Sequence, residues 1–187
     1  TVGSMGKNHI RWEKSSSGPV NDGRVKPEIV AYGQDLYSGF PYDNYAFSSG
    51  TSMACPTATG CMALLTEQYK KLNGNNNPLA YILKGLVING ATDFGNPGPD
   101  YQYGFGLINI ERSVKILNNG YYKTDSLTNG NNKTFTINVP TNTSQLKVLL
   151  YWSDLSAALT ASKALVNNLD LEVIEPNNTT HLPLILN

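Results

Sequence analysis

Net charge is the first thing this chain lacks. Fourteen Lys and Arg balance fourteen Asp and Glu in 187 residues, so no basic field exists to hold nucleic acid or an anionic membrane. Charge of either sign is also sparse, at 15% of residues against 40% hydrophobic, which excludes a disordered polyelectrolyte and calls for a packed core. No apolar run approaches the roughly 18 residues of a membrane span, and Thr1-Val2-Gly3 is no charged start to a secretory signal. Cysteine is limited to Cys55 and Cys61. Six residues apart in one expected helix, they point to different faces roughly 9 Å apart along the axis and cannot pair. A disulfide-stapled scaffold and a CxxC metal or redox motif are therefore excluded, and two small buried thiols are expected.

The chain is rich in turns and in asparagine, with 22 Asn. Sequons at Asn132, Asn142, Asn177 and Asn178 mark exposed loops in a chain where such motifs arise by chance. At about 1.2 times a 150-residue domain, one domain plus a smaller piece is expected. Residues 1 to 52 read as loops between short extended pieces such as Glu28-Ile29-Val30-Ala31, punctuated by Ser17-Gly18-Pro19 and Asn21-Asp22-Gly23. From Ser52 to Leu72 the pattern is helical and apolar nearly all round at first, which predicts a helix with a buried N-terminal half ending at Asn73-Gly74. A second helix is predicted from Leu79 to Val87, where Leu79, Ile82, Leu83, Leu86 and Val87 follow the i, i+3, i+4 rule. A third is predicted from an Asn109 cap to Leu117. Between them, Tyr103 to Ile108 is a glycine-punctuated extended stretch.

Beyond Gly120 the hydrophobic period drops to two. Phe135, Ile137 and Val139 alternate, as do Leu146, Val148, Leu150 and Trp152, then Leu169, Leu171 and Val173, which predicts strands. About four strands fit, fewer than the roughly seven of a closed sandwich, so an incomplete all-β module over 121–187 is expected to follow a unit over 1–120.

The chemistry concentrates at Gly50-Thr51-Ser52-Met53-Ala54-Cys55-Pro56. A serine at a helix start lies near unpaired N–H groups and a partial positive charge that can hold an oxyanion, and small neighbours admit a substrate backbone. Taken alone, Gly-Thr-Ser before a helix is more often a simple cap. With Gly60 four residues on, however, this segment resembles the nucleophile signature of the subtilisin-like serine proteases, the subtilases. Upstream, Ser16-Ser17-Gly18-Pro19 and the run Asp22 to Gly33 look like that family's segment before its last catalytic loop. Downstream, Tyr103-Gly104-Phe105-Gly106-Leu107-Ile108-Asn109 resembles the end of its catalytic domain. Tyr32 stands where the family usually has proline, and Thr57 where histidine often follows Pro56.

The resemblance implies an α/β fold: the C-terminal portion of a three-layer core over 1–120, followed by an incomplete β-sandwich over 121–187. Leu146 to Asp154 and Leu165 to Leu171 look like the sandwich appended to one branch of the family. It implies serine endopeptidase activity with Ser52 as nucleophile and Ser49, Gly50 and Thr51 contacting substrate, on a peptide or protein, outside the cell or at its surface. The family order is Asp, His, Ser, and the Asp, His and oxyanion Asn motifs precede the matched region. The chain is thus expected to be inactive by itself and to associate with the missing N-terminal part. His9 sits in Lys7 to Trp12, which has no small-residue helical pattern like the family's His motif, and reads as a loop residue. No cofactor is required for the chemistry and no metal is assigned. Asp154, Asp170 and Glu172 offer oxygens that Ca²⁺ takes, but no D-x-D-x-D-G loop holds them.

Two other readings compete. An α/β-hydrolase would use Ser52, Asp154 or Asp170, and His181 in that order, but Asp43 to Ser49 lacks the apolar run of a strand entering a nucleophile elbow. A non-catalytic scaffold or binding fragment retains Ser52 without using it. Tyr37, Tyr42 and Tyr45 precede the serine in a loop where they could line a cleft, although exposed loop tyrosines are common.

Overall fold

A computed structural model describes residues 1–184 and 186, and its order is β1 (Val2–Met5), β2 (Ile29–Tyr32), β3 (Leu36–Phe40), β4 (Asn44–Ser48), α1 (Thr51–Leu72), α2 (Ala80–Gly90), α3 (Ile110–Asn118), β5 (Val173–Ile174) and β6 (Thr180–His181). Ile185 and Asn187, at the end of the expected β-module, lie outside the described residues.

The frame is a small parallel sheet. β1 pairs with β2 in register Val2 to Ile29 through Met5 to Tyr32. The extended stretch before α3 joins the far side of β2, with Val30 donating to Gly106 O at 3.0 Å and accepting from Ile108 N at 2.9 Å. Strand side chains alternate between faces. Ile29 and Ala31 therefore enter one cluster with Ala54, Ala58 and Leu65 of α1, Leu86, Val87 and Ile88 of α2, and Leu117 of α3. Val30, fully buried, points the other way, toward the loop that carries Ser15 and Pro27. The mixed helices and strands agree with an α/β core.

The three helices form where the periodicity places them, within three residues at each end. α3 starts as its sequence dictates: the Asn109 side chain accepts from Arg112 N, with Glu111 in the first turn and Lys115 in the last. α1 ends at Asn73 with Lys70 and Lys71 in its last turn.

Burial of α1 departs from expectation. Only Ala54, Ala58 and Leu65 are buried; Cys55, Pro56, Thr59, Gly60, Ala63 and Leu64 face solvent. Small side chains satisfy an apolar pattern all round without covering anything, and here only the stripe toward β1, β2, α2 and α3 meets a neighbour. Cys55 is accordingly exposed and Cys61 half-buried, both free, so the expected pair of buried thiols is corrected. A Cβ at Gly60 would meet nothing within 4 Å, so it is not a packing glycine. Gly60→Ala should raise the stability of the chain by about 0.5–1 kcal/mol through helix propensity; thermal unfolding of the variant checks this.

Residues 121–172 form no helix or strand, so the strands expected at Phe135 to Val139, Leu146 to Trp152 and Leu169 onward are absent there. The sole pairing beyond α3 among the described residues is the short β5–β6 ladder, Val173 to His181 and Ile174 to Thr180. Phe135, Ile137 and Val139 stay exposed. Alternation predicts a strand only where a second sheet covers the apolar face, and these residues have no such partner.

Part of this region nonetheless grips the first. Leu149 and Tyr151 pack against the core cluster, Lys147 Nζ donates to Ile88 O at 3.3 Å, and Lys84 lies over the Tyr151 ring at 5.4 Å. Asp154 then closes a loop on itself. Its carboxylate accepts from Leu155 N (2.9 Å), Val166 N (2.7 Å), Asn167 N (3.1 Å) and Asn167 Nδ2 (2.7 Å). Asp22, paired with Arg24, holds the loop's outer arm through Ala164 N at 3.0 Å.

These donors hold both carboxyls low: Asp154 chiefly through Val166 N–H, and Asp22 to about 2 chiefly through Arg24. A depressed folded pKa means the carboxylate's contribution is complete above the unfolded value of about 3.9 and is lost as pH falls through the folded one. The loop 155–166 should thus stay fastened through Asp154 as pH falls to the ordinary Asp value and release only below it, with the Asp22 contact to Ala164 persisting to about pH 2. Amide chemical shifts of Val166 and Asn167 followed by NMR titration check this; a midpoint at or above 3.9 would show the carboxylate is not clamped.

Candidate active site

Ser52 is set by the junction of β1, β2 and α1. After β2 the chain turns at Gly33, runs out and back through the β3–β4 hairpin, and enters α1. Gly33 is the point where these paths touch. It donates to Met5 O at 3.1 Å and accepts from Gly50 N at 2.7 Å. A Cβ there would stand 2.5 Å from Gly50 O, 2.6 Å from Ser4 Oγ and 2.8 Å from Ala54 Cβ, separations no side chain tolerates, so only glycine lets the helix start this close to the strand ends.

Gly50 caps α1 with its backbone alone. Its carbonyl accepts from Met53 N and Ala54 N, both at 3.1 Å, and no side chain caps the helix. The remaining first-turn N–H groups, those of Thr51 and Ser52, have no acceptor among the described residues, as a helix start leaves them. Ser52 is exposed, and its hydroxyl contacts Met53 Sδ at 3.6 Å. A hydroxyl free to face a ligand, beside unpaired N–H groups at the positive end of a 22-residue helix, is what acyl transfer through an oxyanion requires.

Thr51 is exposed and Gly50 buried. The Ser49 hydroxyl is already engaged: it accepts from Asp35 N at 2.9 Å and donates to Asp35 Oδ1 at 3.0 Å. Asp35 carried no signal in the sequence, since neither periodicity nor motif spacing links it to Ser49.

The aromatic residues before Ser52 lie on the hairpin. Tyr37 faces Phe47 across the ladder, and Gly39 faces Tyr45. Tyr37, Tyr45 and Phe47 consequently share one face; the Tyr45 ring stacks on Tyr37 at 5.8 Å, and the Phe47 ring lies tilted against it at 5.0 Å. Tyr42 stands fully exposed at the tip, where it and Asp43 take positive φ, the backbone that a tight hairpin turn needs.

No imidazole reaches Ser52. His9 Nε2 lies 2.7 Å from Tyr32 Oη, and its ring stacks on Phe94 at 5.2 Å, so His9 is engaged away from Ser52. His181 Nε2 meets Glu175 Oε1 at 2.7 Å on the β5–β6 hairpin. With Asp154 committed to backbone amides, the hydrolase arrangement of Ser52, Asp154 and His181 is not assembled. Among the described residues no group of three His, Cys, Asp or Glu side chains is placed to hold a metal, and no helix is long and apolar enough to cross a membrane.

Comparison with known proteins bears on this arrangement directly. The subtilase family model matches residues 1–106. Pyrolysin of Pyrococcus furiosus is 40% identical over 111 residues, 55% of this chain and 8% of pyrolysin. C5a peptidase of Streptococcus pyogenes is 48% identical over 56 residues, 30% of this chain and 5% of that protein. Subtilisin DY of Bacillus licheniformis is 31% identical over 114 residues, 61% of this chain and 36% of that one. The chain thus spans from about a twentieth to about a third of these relatives. Among solved structures, the CspB protease of Clostridium perfringens superposes with a TM-score of 0.58 at 31% identity, over 63% of this chain and 26% of that one. The protease domain of PatA shares the fold at 22% identity, TM-score 0.53, over 64% and 40%. With a family match over more than half its length, in the segment that builds the Ser52 junction, this chain belongs to the subtilase family.

Proposed function

We propose that this chain is the nucleophile-bearing part of a subtilisin-like serine endopeptidase that cleaves peptide bonds through an acyl-enzyme on Ser52. The observation that carries the reading is the exposed Ser52 hydroxyl at the start of a long helix, beside the unpaired N–H groups of Thr51 and Ser52 and pressed against the strand ends by Gly33 and Gly50. In the reaction, Ser52 Oγ attacks the scissile carbonyl carbon while an upstream His takes its proton and an upstream Asp orients that His. The Ser52 N–H and the helix start stabilise the oxyanion. The C–N bond breaks as the His returns the proton to the leaving amine, and water then releases the acyl group. Ser49, Gly50 and Thr51 are proposed to border the substrate through their backbone, and Tyr37 and Tyr45 flank the approach.

The chemistry needs no cofactor, and no calcium site is assigned. The substrate is a peptide or protein, the working partner is the N-terminal part of the same protease, and the protein acts outside the cell or at its surface. Residues 1–120 are proposed to be the peptidase unit, with 121–187 part of an appended β-sandwich. Joining the chain to a segment with the family's Asp, His and Asn motifs tests the reading: peptidase activity should follow, and a joined, folded protein without activity would count against it. A second reading, a non-catalytic scaffold or binding fragment, draws on the absence of any imidazole beside Ser52.

A further inference from the structure

The two ends of the β3–β4 hairpin are fastened to each other directly before the nucleophile turn. Asp35 precedes β3 and Ser49 follows β4. One serine hydroxyl closes both contacts, accepting from Asp35 N at 2.9 Å and donating to Asp35 Oδ1 at 3.0 Å. One residue after Ser49 and two before Asp35, nearer the core, Gly50 N donates to Gly33 O at 2.7 Å. Asp35 adopts φ 52°, in the left-handed region that non-glycine residues visit at a cost and that Asp and Asn tolerate best. The bonds to Ser49 hold it there. Gly50 in turn provides the carbonyl on which α1 begins, through Met53 N and Ala54 N.

From this chain of contacts we propose that Asp35 is a positioning residue for the nucleophile turn. Through Ser49 it locks the hairpin base, fixes Gly50 against Gly33, and thereby sets the direction of the Ser52 hydroxyl and N–H. The proposal rests on the reading of Ser52 as nucleophile for its purpose, although its geometry stands independently of it. It also assigns the Ser49 side chain to the framework, leaving only the Ser49 backbone to a substrate. Without the lock, the 13-residue excursion from Leu36 to Ser48, whose aromatic face is exposed, would lever on the turn that carries Ser52.

Amide hydrogen exchange on the 187-residue chain tests the proposal. Asp35→Ala and Ser49→Ala should each speed exchange of the Gly50 amide about tenfold or more, while amides from Ala58 to Lys70 in α1 stay within about twofold. Asp35→Asn should remain close to the native rate, because Asn accepts the Ser49 hydroxyl through Oδ1 and tolerates the left-handed backbone. Unchanged Gly50 exchange in both Ala variants, an acceleration spread evenly along α1, or an Asn variant as fast as Asp35→Ala would each overturn it. Because this readout needs no catalysis, a chemically inert Ser52 in a folded chain joined to the family's Asp, His and Asn motifs would sink the peptidase reading and leave the positioning result to stand or fall by itself.

Discussion

The 187-residue chain by itself is expected to leave peptide substrates uncut, and joining it to a segment that carries the family's Asp, His and Asn motifs is expected to restore hydrolysis. Ser52→Ala in the joined protein should lower kcat by about 10⁶, a magnitude measured on subtilisin and carried over here to its family. The physical reason is plain in the site. The Ser52 hydroxyl has only the Met53 sulfur beside it, so at neutral pH it stays protonated and nothing assists its attack on a carbonyl. The helix start offers N–H groups to an oxyanion, but without a base the residual acceleration such donors give falls far short of the family's rate. Steady-state hydrolysis of a chromogenic peptide by the chain, the joined protein and its Ser52→Ala variant checks the series. Robust activity that survives Ser52→Ala would remove Ser52 from the chemistry.

Gly106→Ala is expected to be the most damaging single methyl in the first 120 residues. Gly106 adopts φ 110°, outside what L side chains accept, and a Cβ there would lie 2.0 Å from Thr92 O and 2.6 Å from Thr92 C. Both neighbours are backbone and cannot swing away. Gly106 also holds the extended stretch beside β2, since its carbonyl accepts from Val30 N. Strain and overpacking together should cost about 3–5 kcal/mol, enough to unfold a marginal domain. Chemical denaturation of the variant beside Gly60→Ala reads this. The first should collapse in stability and the second gain, although both exchange the same atoms, because one glycine is wedged against backbone and the other faces open solvent.

That contrast also marks how far the sequence could be read. Helix boundaries were legible because they depend on neighbours along the chain: Asn109 caps α3 with its own side chain, and Asn73 closes α1 after Lys70 and Lys71. The glycines of Tyr103 to Ile108 were legible because a turn or a close approach admits few residue types, and the Ser52 motif was legible only through its resemblance to the subtilase signature. Burial was not. The first turns of α1 are apolar in composition, yet Cys55, Thr59, Gly60 and Ala63 face solvent, and periodicity cannot say whether a face finds a packing partner. The same gap separates the alternating pattern at Phe135, Ile137 and Val139 from a strand, since alternation describes half of a pairing. Asp35 escaped for a third reason. Its link to Ser49 spans a hairpin and leaves no spacing rule behind.

The most direct measurement is the mapping, by peptide mass spectrometry, of a serine-directed phosphonate on the joined protein. The probe mimics the tetrahedral intermediate and bonds only to a serine whose proton is taken by a base beside an oxyanion site. Ser52 as nucleophile requires stoichiometric labelling at Ser52, none at the neighbouring Ser48 and Ser49, and none when the unjoined chain is treated. Labelling at another serine, or no adduct on a joined protein that cleaves peptides, would contradict it.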